Sequence, residues 1–211
     1  PSDLNSANSK SELVSAVDSN LRSRRTRKIL AGPGSGEQEV LFLQGLKESI
    51  VLAGAAPFHY ARLKDLPEPW RFRAFHGDSL ARVTTQLSDA DLLYGQLPKI
   101  FAHAGAVILA TWLPETDPER LSRNWQHSVA AGAAVQNLLL ASQARGIGSY
   151  WCSAFNLGVF EAMKIWGAAE GEELIGVIFM GWPLSPEEEV EFGWSGKMRE
   201  RRTSPEAGWG I

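Results

Sequence analysis

The stretch Trp125-Gln-His-Ser-Val-Ala-Ala-Gly-Ala-Ala-Val-Gln-Asn-Leu-Leu-Leu-Ala-Ser-Gln-Ala-Arg-Gly-Ile-Gly-Ser-Tyr-Trp-Cys-Ser153 decides the fold. No Asp, Glu, Lys or Arg occurs from Asn124 to Ala144, a run long enough to span a bilayer. Yet Asn124, Gln126, His127, Ser128, Gln136, Asn137, Ser142 and Gln143 make it too polar for lipid. It reads as a long helix buried in protein, from about Pro118 to Arg145. Gly146 follows where a left-handed residue ends a helix. The small residues Ala130 to Ala134 suit close approach by another backbone. Beyond the helix, Ile147 to Asn156 reads as a loop. Its glycines and aromatics either bring main chain against a flat ligand or cap the helix ahead of a short strand.

Working outward, Gly105 to Trp112 is a continuous apolar run and predicts a central strand. Trp70 to Phe75 alternates as a half-buried strand does, and Leu174 to Trp182 predicts a third, closed by Pro183. Ser9-Lys-Ser-Glu12 is a capping box before Leu13, Val14, Val17 and Leu21, so a first helix is expected from there to about Arg22. Residues 1–8 then form a flexible tail. A second helix is expected from Glu37 to about Leu52, with Val40, Leu43, Leu46, Ile50 and Val51 inward. Short helices follow from Asp78 or Ser79 and from Ser88 or Asp89, the latter carrying Leu92 to Phe101 with a kink at Pro98. A last helix runs from Asn156 to about Ala168. Strands separated by more numerous helices predict an α+β or α/β sandwich in a single domain over 1–211.

Composition narrows the function. The 211 residues are 44% hydrophobic and 21% charged, with net charge −3, so no overall basic field recruits nucleic acid. One cysteine excludes an internal disulfide framework. The four histidines lack metal-ligand spacing, and no stretch resembles a signal peptide, so a cytoplasmic protein is expected. Eight tryptophans call for large flat surfaces packed inside or at an interface.

Two basic clusters carry the clearest chemistry. Arg24, Arg25, Thr26 and Lys28 follow the first helix, and Lys197, Arg199, Arg201 and Arg202 lie near the other terminus. Guanidinium forks beside a hydroxyl bind a phosphate monoester through several charge-assisted bonds; solvated charge runs are the plainer alternative. Gly32-Pro-Gly-Ser-Gly36 lacks P-loop spacing and reads as a connector. His59 lies in an irregular loop, and Cys152 reads as a packed thiol rather than a nucleophile.

Taken in order, these elements resemble the nitroreductase family of FMN-dependent oxidoreductases. The carriers are Arg24-Arg-Thr-Arg-Lys28, Ala55-Ala-Pro-Phe-His59, Glu68-Pro-Trp-Arg-Phe72, Trp125 to Ser153, Ile178-Phe-Met-Gly-Trp-Pro183 and Arg201-Arg-Thr-Ser-Pro-Glu206. The resemblance implies an α+β fold, with a central mostly antiparallel sheet surrounded by helices in an intertwined homodimer. It implies FMN held by Arg24, Arg25, Thr26, Lys28, His59, Glu68, Trp151, Cys152, Ser153, Arg199 and Arg201. It also implies NADH or NADPH as donor and nitroaromatics, quinones or similar small molecules as acceptors, with no membrane or nucleic-acid partner. No side chain is the obligatory acid or base, since the flavin carries the chemistry. The departure is the loop His59 to Glu68, expanded and ending in glutamate where the family has glutamine. That carboxylate opposes negative charge on reduced FMN. Two alternatives follow: a same-fold oxidase or dehydrogenase on a biosynthetic intermediate, and a flavin- or ligand-binding protein with little turnover.

Overall fold

The computed structural model describes residues 2–153, 160–185 and 187–188. Five strands form one sheet: β1 (Leu30–Ala31), β2 (Trp70–His76), β3 (Ala106–Trp112), β4 (Gly148–Cys152) and β5 (Glu173–Pro183). Every ladder is antiparallel. The order is β2, β3, β5, and then β4 and β1, which share the far edge of the long β5. The registers pair Trp70 with Trp112, Ala106 with Met180, Gly148 with Gly181 and Leu30 with Pro183.

Six α-helices are described: α1 (Ser2–Ser23), α2 (Glu37–Ala53), α3 (Gly77–Asp89), α4 (Leu97–His103), α5 (Asn124–Ala144) and α6 (Phe160–Ile165). The period-two alternation of strand side chains assigns each face. Ala106, Ile108, Ile178 and Met180 pack against Phe42 and Leu46 of α2 and Val135, Leu138 and Leu139 of α5. Val107, Leu109, Val177 and Phe179 face α3, α4 and α6. Covered on both sides, β3 is buried throughout, which explains its unbroken apolar run. The α+β architecture with an antiparallel sheet flanked by helices stands as expected.

Several boundaries differ from the sequence reading. The first helix already begins at Ser2, so Ser9 is interior and residues 2–8 belong to the helix rather than to a tail. No Gly or Pro stands in that span to stop propagation. On α2 the buried residues are Phe42, Gly45, Leu46, Ser49 and Ala53, while Val40 and Val51 are exposed. The cause is close packing near the end of α5: a Cβ on Gly45 would lie 2.8 Å from Ile147 Cδ1, so small residues face inward.

The helix expected from Ser88 reduces to α4, with Pro98 in its first turn rather than at a kink. The long helix starts at Asn124, not Pro118, after a 3₁₀ turn at Leu121–Arg123. Gly146 does adopt the left-handed conformation, φ 73°. The loop expected from Ile147 contains β4. The helix expected at Asn156 is described from Phe160 onward, and residues 154–159 lie outside the described residues. Of the small residues Ala130 to Ala134, Ala130, Ala131 and Ala134 are buried within the chain, while Gly132 and Ala133 are partly exposed. The three buried alanines pack in their own core beneath Trp70 and Trp112.

Candidate functional site

The chain leaving α1 runs along the outer edge of β4. Thr26 bridges Ser149 in parallel, and the Arg27 amide donates to the Ser149 carbonyl at 2.9 Å. This pairing fixes the turn that carries Arg24, Arg25, Thr26 and Lys28. Lys28 Nζ lies 5.5 Å from the Tyr150 ring centre, and Tyr150 stacks on Phe179. Burial first, and the Cys152 thiol second, push the Tyr150 hydroxyl up, so it stays a neutral phenol.

Alternation along β4 separates its side chains. Trp151 is half-exposed, and its indole N–H donates to the Ile175 carbonyl at 3.3 Å. Cys152 turns the other way into the core as a buried free thiol. Ser153 is exposed at the strand end. Gly148 gives no room to a ligand, because a Cβ there would lie 2.6 Å from Leu30 Cδ2. Gly146 caps the helix and Gly148 permits close strand packing.

The loop carrying His59 and Glu68 lies at the start of β2. His59 is exposed and Glu68 half-buried. The loop closes on itself: the Arg62 amide donates to the Pro67 carbonyl at 2.8 Å, and Leu63 to Leu66 at 3.2 Å. Arg71 Nη1 donates to the Glu68 carbonyl. Burial lowers the pKa of Arg71 from the ordinary guanidinium value, and the charges of Glu172 and Glu68 oppose that shift.

Beneath this loop lies a cluster that sequence reasoning missed. Arg62 Nη1 is 3.2 Å from Glu115 Oε2, and Glu115 Oε1 is 3.7 Å from His127 Nε2. Glu115 and His127 are buried, and those last two atoms have no hydrogen-bond partner. Asn124 fixes the same segment through its side chain, accepting from the Glu115 amide at 2.7 Å and donating to its carbonyl at 3.1 Å. The only hint in the sequence was a histidine inside a helix otherwise free of charged residues.

The two halves of the candidate site sit on opposite edges of the sheet in one chain. From β4 to β2 is three strand spacings, about 14 Å. Arg199 and Arg201 lie outside the described residues. The donor set of the Arg24–Lys28 turn, cations with one hydroxyl held by a backbone bridge, fits a phosphate monoester. At the other edge, the Glu68 carboxylate fits an N–H donor of a flavin ring and no anion. A cleft of about 450 Å³ elsewhere, between α2 and the end of α5, is lined by Gln44, Lys47, Glu48, Val51, Leu52 and Arg145 and holds none of the expected residues. Among the described residues no group of His, Cys, Asp and Glu is arranged for a metal, and no helix is long and apolar enough to cross a membrane.

The profile of the nitroreductase family matches residues 46–182. No curated protein matches the chain. Among solved structures, a nitroreductase-like family protein from Bacillus cereus is 17% identical, with TM-score 0.62, over 82% of this chain and 93% of its own. A nitroreductase from Desulfovibrio desulfuricans, solved with FMN, is 20% identical, with TM-score 0.54, over 80% and 87%. The FMN-dependent nitroreductase NfnB from Mycobacterium smegmatis, solved with NADPH, is 18% identical, with TM-score 0.57, over 86% and 92%. Strand order, helix placement and the profile match over most of the chain agree, and the chain belongs to the nitroreductase family.

Proposed function

We propose that this chain binds FMN and uses NADH or NADPH to reduce nitroaromatics, quinones or similar acceptors in alternating two-electron steps. The observation that carries the reading is the basic turn: Arg24 to Lys28, tied to β4 through Thr26 and Ser149, at the edge of a nitroreductase-family sheet. FMN, when bound, would supply the redox chemistry between the nicotinamide and the acceptor. The chain's own work is placement. Arg24, Arg25, Thr26 and Lys28 hold the phosphate, with Arg199 and Arg201 as further cations. Trp151 and the backbone from Cys152 to Ser153 border the ring on this side.

His59 and Glu68 border the ring from a second copy of the chain. Their position on the opposite sheet edge supports this, since a single chain leaves the two halves apart. The exposed row Leu13, Val14, Val17 and Leu21 on α1 supports a homodimer as well. Glu68 sets the electrostatics: a carboxylate beside the ring disfavours the negative charge of reduced flavin and lowers the potential. The same carboxylate favours, as a second reading, a flavin-binding protein with little turnover.

The test compares FMN with riboflavin, since only FMN carries the phosphate. FMN binds tighter to the wild type, and Arg24→Ala weakens FMN about tenfold or more, the loss of a charge-assisted hydrogen bond. Riboflavin binding stays unchanged. Equal affinity for the two flavins in the wild type contradicts the phosphate site.

A further inference from the structure

We propose that Arg62, held by the buried carboxylate of Glu115, is the latch that fixes the 57–68 loop and so positions Glu68 at the flavin. This rests on the flavin reading above and extends it to residues outside the binding set.

The Arg62 side chain crosses from the loop to the segment after β3 and meets three acceptors in succession. Nε donates to the Leu113 carbonyl at 2.8 Å, Nη2 donates to the Pro114 carbonyl, and Nη1 pairs with Glu115. A planar guanidinium satisfied on all three nitrogens is a fixed strut, not a swinging charge. Glu115 is 5% exposed, so its charge depends on Arg62 for compensation. From this strut the order passes directly to Glu68. The Arg62 amide holds the Pro67 carbonyl, the Leu113 amide holds the Pro69 carbonyl at 3.0 Å, and Arg71 holds the carbonyl of Glu68 itself. Backbone on each side of Glu68 is thus tied to the segment the latch grips. A second contact backs it: the Arg123 guanidinium lies 4.3 Å from the centre of the Tyr60 ring. Arg62 is therefore a positioning residue, turned inward and not toward a ligand.

Two measurements test the latch. The first is chymotryptic cleavage after the exposed Tyr60 in the folded protein without flavin. Arg62→Gln and Glu115→Gln each speed it about tenfold by freeing the loop. Glu115→Gln keeps the shape but removes the charge that pairs with Arg62, so it keeps the test open if Arg62→Gln misfolds. Cleavage at the wild-type rate in a folded variant overturns the latch.

The second is the flavin midpoint potential of wild type, Arg62→Gln, Glu68→Gln and the double variant. Removing a cation by itself lowers a flavin potential. Releasing the Glu68 carboxylate raises it, so Arg62→Gln moves the potential upward, toward that of Glu68→Gln. In the Glu68→Gln background Arg62→Gln then has no upward effect. A fall in potential, or the same shift in each background, overturns the link to Glu68. A wild type that binds no FMN overturns the functional reading instead, and the cleavage rates judge the latch alone.

Discussion

At the scale of the residue, His127 is a buried histidine whose protonation the fold opposes. Its Nε2 faces Glu115 at 3.7 Å inside the protein, with no hydrogen-bond partner. Burial holds its pKa below the ordinary imidazole value, and the charge of Glu115 opposes that shift without outweighing it. Arg62 and Arg123 push in the same direction as burial. The unfolded chain titrates near ~6.5, so above that pH the ring is neutral in each state and the folded protein keeps its full stability. As pH falls below that value the unfolded chain takes the proton first, and stability declines until the folded ring is protonated too. Melting temperatures measured from roughly pH 7.5 down to 5 should fall less steeply for His127→Gln than for the wild type. Parallel curves would mean that His127 carries no part of the acid sensitivity.

At the scale of the element, β4 is held where it is by the absence of a side chain. A Cβ on Gly148 would lie 2.6 Å from Leu30 Cδ2 and 3.1 Å from Arg27 Cδ, and Leu30 is fully buried. Gly148→Ala therefore pushes β1 and the basic turn away from β4. The expected cost is about 1–3 kcal/mol, read as a lower urea midpoint with an unchanged slope. An unchanged midpoint would show that the turn yields freely. Elements like this one mark the limit of what the sequence made legible. β3 and β5 were plain because an apolar run between two covered faces has few other readings, and β2 because Trp70, Phe72 and Ala74 alternate with Arg71 and Arg73. β4 was read as loop, with a short strand after the helix cap as the open alternative, because Gly-Ser-Tyr-Trp-Cys has neither alternation nor length; pairing with β5 decides for the strand. The inward face of α2 was misread for a related reason. Gly45, Ser49 and Ala53 are buried by close helix packing, a tertiary cause that apolar periodicity does not register. Of the site, the basic turn was legible as charge, whereas the Arg62–Glu115–His127 cluster joins residues from three separate segments that no local pattern connects.

At the scale of the whole molecule, the two halves of the proposed site lie apart in one chain. Within one chain the Arg24–Lys28 turn and the Glu68 loop border opposite edges of a sheet, β4 and β2. In the homodimer proposed above, a turn from one copy would meet a loop from the other. Light scattering should accordingly give twice the chain mass of 23.1 kDa, and Val17→Glu on the exposed row of α1 should shift it toward the monomer with loss of FMN. The most direct test of the central claim is the visible absorption spectrum of the FMN-loaded protein, recorded without oxygen before and after addition of NADH or NADPH. A flavin-dependent reductase shows a protein-bound flavin band that bleaches with one of the two donors and returns when a quinone or nitroaromatic is added. A bound flavin band that neither donor bleaches, or FMN that passes through the protein unbound, would contradict it.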